Sequence, residues 1–146
     1  MSPNEQLVLR NRNWRKNLKK FMNSVLGKYD LATIILFGSR ARGEYSAFSD
    51  TDILIILEES SLETLEEIIK MAYEADLVSP EIHLFEKNWV IENFESNTVL
   101  LDAVYEGKVL VDKLNIIKEL KERLDELLKS EWTKERDGWK IKRKSV

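Results

Sequence analysis

Two short runs, "LATIILF" (31–37) and "TDILIIL" (51–57), are apolar almost throughout and rich in β-branched residues. A strand that shows no alternation of polar and apolar positions is buried on both faces. The bridge between the runs, residues 38–50, is too short to carry a crossover helix, so the two strands are expected to pair antiparallel. A pair buried on both faces needs cover on both sides.

The rest of the sequence supplies it. Residues 5–28 read as a long helix, with Trp14, Leu18, Phe21, Met22 and Val25 on one stripe and Gly27 as its stop. Ser60-Ser61-Leu62-Glu63 has a capping-box pattern and opens a helix to about Tyr73, with Leu62, Leu65, Ile68, Ile69 and Ala72 facing inward. Pro80 precedes a third strand, "EIHLF". A helical stretch over 87–106 stops at Gly107, "KVLV" (108–111) is a fourth short strand, and a last helix covers about 113–129. The order α-β-β-α-β-α-β-α predicts an α/β (α+β) chain: a mixed, twisted sheet packed with helices, with long helices at both ends. No repeat or linker divides it. One domain is expected over 1–130, with its core at about 30–112, followed by a basic tail (131–146) for which disorder is the default.

Composition narrows the class. Hydrophobic residues make up 43%, which supports a packed core. Cysteine is absent, which excludes disulfide staples and cysteine-ligated zinc. The start "MSPNEQLVLRNRNW" has no apolar signal core and no run is long enough to cross a bilayer, so a soluble, cytoplasmic protein without a membrane partner is expected. The net charge of −3 is unevenly spread: seven Lys/Arg stand against two acids in residues 1–30, and nine acids against Lys70 in residues 58–86. The basic face of the first helix is read as a solvated face rather than a nucleic-acid surface.

The bridge and the mouth of the second strand carry the chemistry. Asp50 and Asp52 point the same way, since side chains alternate along a strand, and lie about 6–7 Å apart. Two such carboxylates repel, and burial worsens the conflict. A divalent cation relieves it. Mg²⁺ takes carboxylate oxygens and completes its shell with water and substrate phosphates. Upstream, Gly38 allows close approach of backbone to a phosphate and Ser39 offers a hydroxyl and an N–H. Arg40 and Arg42 add cationic forks suited to phosphate, and Gly43 permits a tight turn.

Gly38-Ser39, ten residues, then Asp50-x-Asp52 resembles the G-S-x10-D-x-D signature of the polymerase-β-like nucleotidyltransferases. The fuller "GSRARGEYSAFSDTD" is similar to the minimal nucleotidyltransferases, small prokaryotic proteins often encoded beside HEPN-domain partners. With the flanking strands and "EGKVLVD" (106–112) the likeness extends over most of residues 30–112. The resemblance implies a polymerase-β-like fold and a two-metal Mg²⁺ site. It implies transfer of a nucleoside monophosphate, AMP from ATP in the first instance, to an acceptor hydroxyl. Asp50 and Asp52 would hold the metals, and Gly38, Ser39, Arg40, Arg42 and Gly43 the nucleotide. The acceptor would be a tyrosine of a cognate HEPN toxin, with this chain as antitoxin.

The family's third carboxylate is an aspartate on the next strand, and "SPEIHLFEK" has none. Glu81 is the candidate for that catalytic and metal position. His83 shares its face by alternation, though a lone histidine on a strand is more often structural. Glu86 lies on the other face or past the strand end. Two alternatives stand beside the enzyme: a nucleotide-binding subunit of a heteromeric complex, and a transferase acting on a small molecule. In the last helix Ile117, Leu120, Leu124 and Leu127 form an a/d-like seam. It serves either its own domain or a partner, including a second copy of the chain.

Overall fold

The computed structural model describes residues 1–130 and 132–141. Strands β1 (Ala32–Phe37) and β2 (Thr51–Leu57) form the centre of a sheet ordered β3-β2-β1-β4, with β3 spanning Pro80–Glu86 and β4 Lys108–Asp112. The expected antiparallel pairing of β1 and β2 holds, in a register running from Ala32↔Leu57 to Phe37↔Asp52. β3 lies parallel to β2, because helix α4 (Leu62–Glu74) carries the chain back between them. β4 pairs antiparallel with β1 across a bulge at Ile34/Ile35.

Alternation divides the buried residues of the two central strands between two cores. On one face Ile34, Leu36, Ile53, Ile55 and Leu57 meet Trp14, Leu18, Phe21 and Val25 of helix α2 (Trp14–Lys28) and Ile68 and Ala72 of α4. On the other, Ile35, Phe37, Leu54 and Ile56 meet Val90 of α5 (Lys87–Asn93), Phe94, and Leu100, Ala103 and Val104 of α6 (Thr98–Glu106). Leu120 and Leu124 of α7 (Ile117–Ser130) complete that side. Each fully buried Ile or Leu of this kind contributes about 1.5–3 kcal/mol. The row can therefore hold a polar residue at its end, and Asp52 is that residue, the one half-buried position of β2.

Several local expectations change. The first helix is two helices, α1 (Pro3–Arg12) and α2, broken at Asn13. The apolar stripe begins only at Trp14, and α1 buries nothing fully. Gly27 does not stop α2, which runs to Lys28. There Lys28 pairs with Glu67 of α4 and Tyr29 donates to the same carboxylate at 2.8 Å, so tertiary anchoring carries the helix past the glycine. Ser61, not Ser60, caps α4 by accepting from the Thr64 N–H at 3.2 Å. Leu62 is 71% exposed and Ile69 36% exposed, so the inward face is narrower than the spacing suggests. The stretch 87–106 is α5, a 3₁₀ turn at Phe94–Ser96 and α6. Asn97 restarts the helix by accepting from the Leu100 N–H at 2.9 Å.

The last helix starts at Ile117 rather than 113 because Asp112 accepts from the N–H groups of Ile116 and Ile117, each at 3.2 Å. Its Ile117–Leu120–Leu124 seam closes on the chain's own core. Strands β5 (Trp132–Glu135) and β6 (Gly138–Ile141) form a hairpin where disorder was expected. Trp139 donates to Asp102 of α6 at 2.8 Å, and Lys134 pairs with the same carboxylate at 2.9 Å. The remainder of the basic tail, 142–146, lies outside the described residues. Among the described residues no helix is long and apolar enough to cross a membrane.

Gly107 ends α6 where the chain passes tightly under β1. A Cβ there would lie 2.2 Å from the Ala103 carbonyl and 2.5 Å from Cγ2 of Ile35. Gly107→Ala is expected to cost about 1–3 kcal/mol by overpacking, read as a lower urea midpoint with an unchanged slope.

Candidate functional site

The candidate site forms at the N-terminal end of β2, and the sheet register builds it. Asp52 faces the α5–α6 side, opposite Phe37 on β1 and Glu81 on β3. His83 is the next residue of β3 on that face, paired in register with Leu54. Asp52, Glu81 and His83 each offer a donor atom, and these atoms lie within 4.8 Å of one another. The cluster crosses a parallel pair, which a sequence pattern can suggest for Glu81 and His83 but cannot align with Asp52.

Asp52 bears the electrostatic consequence. Its pKa is pushed up from the ordinary 3.8 to about 7, first by burial, then by a hydrogen bond and charge shared with Glu81, and then by the charge of Asp50. Arg42 opposes the shift only weakly. Asp52 thus stands crowded against a second carboxyl group where a cation could sit, and two oxygens with an imidazole nitrogen are a fitting donor set for a divalent ion. Asp50 is exposed, two residues before Asp52 and outside the tight trio. His83 is half-buried against the Phe37 ring, with centroids 5.4 Å apart, and burial lowers its pKa.

The bridge supplies the other wall. Gly38 has φ +73°, and a Cβ on it would lie 2.2 Å from Oδ2 of Asp52. Glycine is required twice over, for the left-handed backbone and for the close approach to the carboxylate. Residues Gly38–Arg42 form the short helix α3, closed by Gly43 in the left-handed region at φ +78°. Ser39 is partly exposed at its start, and its hydroxyl makes no hydrogen bond to another described residue.

Arg40 is corrected by the structure as a phosphate-facing residue. It is 1% exposed, and its guanidinium is occupied. It donates to the Ser49 carbonyl at 3.0 and 3.3 Å, to Asn11 Oδ1 at 3.1 Å and to the Ser46 carbonyl at 3.4 Å. It also lies 5.2 Å from the Trp14 ring centroid and 4.9 Å from that of Tyr45. Arg40 therefore pins the segment that leads into Asp50 onto α1 and α2. Arg42 stays at the rim, paired with Glu106 at 2.9 Å and Glu44 at 3.5 Å. Glu86 ends β3, far along the strand from Glu81. Sequence reasoning left Asn11 and Tyr45 unassigned. No short motif marks them, because both act through the buried Arg40 guanidinium, which Asn11 reaches from a separate helix and Tyr45 from within the bridge.

The family model described as the nucleotidyltransferase domain matches residues 16–137. A Methanocaldococcus jannaschii protein, named as an inferred protein adenylyltransferase, is 45% identical over 58 residues, which is 39% of this chain and 58% of that protein. A second protein of that organism, named in the same way, is 34% identical over 89 residues, which is 60% of this chain and 89% of its own length. The chain spans about half the length of the curated relatives it matches first, 58% and 46%. Among solved structures, a toxin–antitoxin complex with AMP-PNP aligns with TM-score 0.53 and 21% identity, over 75% of this chain and 85% of that one. A variant of the MntA–HpeT toxin–antitoxin aligns with TM-score 0.54 and 18% identity, over 76% and 85%. At such identities these two speak for the fold.

Two tests follow from the geometry. Gly38→Ala places a methyl group against Oδ2 of Asp52 in a strained backbone, and a stability loss of about 1–3 kcal/mol is expected by urea denaturation. Between 3.8 and about 7 the folded, metal-free protein holds a proton on Asp52 that the unfolded chain has lost. The Asp52 contribution to stability therefore falls as pH rises through that window. The stability of Asp52→Asn relative to the parent is expected to rise over the same range, measured by denaturation at each pH without added metal.

Proposed function

The chain belongs to the nucleotidyltransferase domain family, and from that premise we propose that it transfers AMP from ATP to a tyrosine hydroxyl of a HEPN-domain toxin, as the antitoxin of the pair. The observation that carries the reading is the cluster itself. A glycine backbone is pressed against Asp52, and Glu81 faces Asp52 across a parallel strand pair. The relatives' names favour a protein acceptor, and the toxin–antitoxin neighbours favour a toxin as that protein.

The roles follow from position. Asp50, Asp52 and Glu81 hold the divalent ions. Gly38 and Ser39 take the triphosphate at the start of α3, with Arg42 at the rim and Gly43 closing the turn. Arg40 is a positioning residue, since it fixes the segment from Ser46 to Ser49 that delivers Asp50. The acceptor oxygen attacks the α-phosphorus, the bond to the β-phosphate bridging oxygen breaks, and pyrophosphate leaves. Glu81, the exposed member of the cluster, would take the acceptor proton. Bound cations would neutralise charge on the attacking and leaving oxygens.

The experiment is transfer of label from α-labelled ATP to a co-expressed helical toxin, with the modified residue found by mass spectrometry. Label on tyrosine is expected, and Asp50→Asn should lower the rate by about a hundredfold or more. Tight ATP binding with no transfer to any partner would replace the enzyme with a nucleotide-binding subunit.

A further inference from the structure

The tight cluster is not built of carboxylates alone. Asp52 and Glu81 are joined by His83, and the three donor atoms lie within 4.8 Å of one another. We propose that His83 is a nitrogen ligand of the cation held there, and that the site therefore ranks Mn²⁺ and the later first-row divalent ions above Mg²⁺. The inference rests on the reading of the cluster as the cation site of a nucleotidyltransferase, and adds which ion this chain selects.

The backbone makes the case first. β3 runs parallel to β2, with Glu81 opposite Asp52 and His83 opposite Leu54. Residues 81 and 83 share a face, so the imidazole stands one step further into the sheet than the carboxylate pair. It is not a swinging surface side chain. His83 is half-buried and packs against Phe37, at a ring tilt of 54°. It makes no hydrogen bond to another described residue, so neither ring nitrogen is committed among the described residues.

Chemistry then sets the preference. Mg²⁺ demands near-octahedral oxygen coordination and gives up water reluctantly, and Asp50, Asp52 and Glu81 alone would suit it. An imidazole nitrogen adds little for Mg²⁺. It strengthens binding of transition ions, in the order Mn²⁺ < Fe²⁺ < Co²⁺ < Ni²⁺ < Cu²⁺. Two carboxylates and one imidazole on a rigid strand pair form a mixed nitrogen–oxygen face, leaving the remaining positions for water and phosphate oxygens. Asp50, exposed and outside the trio, stays available for an all-oxygen ion beside it.

The test reads the ligand directly. The full chain, stripped of metal and loaded with less than one equivalent of Mn²⁺, is examined by electron spin-echo spectroscopy with and without a non-hydrolysable ATP analogue. Coupling of Mn²⁺ to a directly bound ¹⁴N is expected in the parent and absent in His83→Gln. Free Mn²⁺ is then followed by electron spin resonance while Mg²⁺ competes. His83→Asp, which restores an all-oxygen site, is expected to narrow the Mn²⁺-over-Mg²⁺ preference by about tenfold. The parent spectrum decides even if a variant fails to fold. Absence of ¹⁴N coupling in Mn²⁺-loaded parent, or an unchanged preference in His83→Asp, overturns the assignment. If nucleotidyl transfer persists with no ¹⁴N coupling, the ligand assignment alone falls. If the parent binds neither ion, with or without the analogue, the cation-site reading falls with it.

Discussion

The contact between the Gly38 backbone and the Asp52 carboxylate is the constraint on which the rest of the site depends. It exists because Phe37 pairs with Asp52 in the β1–β2 register, which leaves Gly38, the residue that follows β1, directly over the acid. Any side chain at 38 would intrude on Oδ2. A slip of one residue would turn Asp52 into the α2–α4 core and Thr51 or Ile53 into the site. The register is held by the long row of buried apolar residues behind it. The two cores therefore fix the position of the chemistry as well as the stability of the fold.

That placement has an electrostatic cost. Asp52 sits half-buried beside Glu81 and within reach of Asp50, and its carboxyl responds by holding a proton toward neutral pH. Groups so crowded without a compensating partner are costly in a structural role. A cation and a polyphosphate would turn the same crowding into binding energy, and the reading of the site as a nucleotide centre draws its physical sense from this. Thr51, between the two aspartates, anchors the strand mouth by donating to the Val78 carbonyl at 2.6 Å. The carboxylates are thus held on a fixed backbone.

Arg40 shows how a correct motif can mislead about an individual residue. Two arginines after Gly38-Ser39 look equally suited to phosphate. In the fold one is the rim cation, and the other is buried among Trp14, Tyr45 and three backbone or side-chain acceptors. Its partners come from α1, α2 and the Ser46–Ser49 turn. The N-terminal helices thereby become part of the site's support, although they carry none of its chemistry. The break at Asn13 serves this arrangement, since it lets α1 bring Asn11 to the guanidinium while α2 keeps its stripe on the sheet.

The sequence by itself determined what is local and periodic. The two buried strands follow from their apolar runs, the antiparallel turn-back from the short bridge, and the shared side of Asp50 and Asp52 from strand alternation. Gly38-Ser39 and D-x-D were legible because their pattern lies along one stretch of chain. Helix α7 was legible as a helix, but its seam was not assignable, since period alone does not say which surface a stripe meets. The tertiary structure decided everything that requires two distant segments to meet. It set Glu81 across from Asp52, added His83 to the cluster, buried Arg40 beneath the bridge, carried α2 past Gly27 and docked the hairpin through Trp139 on Asp102. The physical reason is common to all of these. Each is a tertiary contact fixed by strand register and core packing rather than by the propensity of the residues that make it.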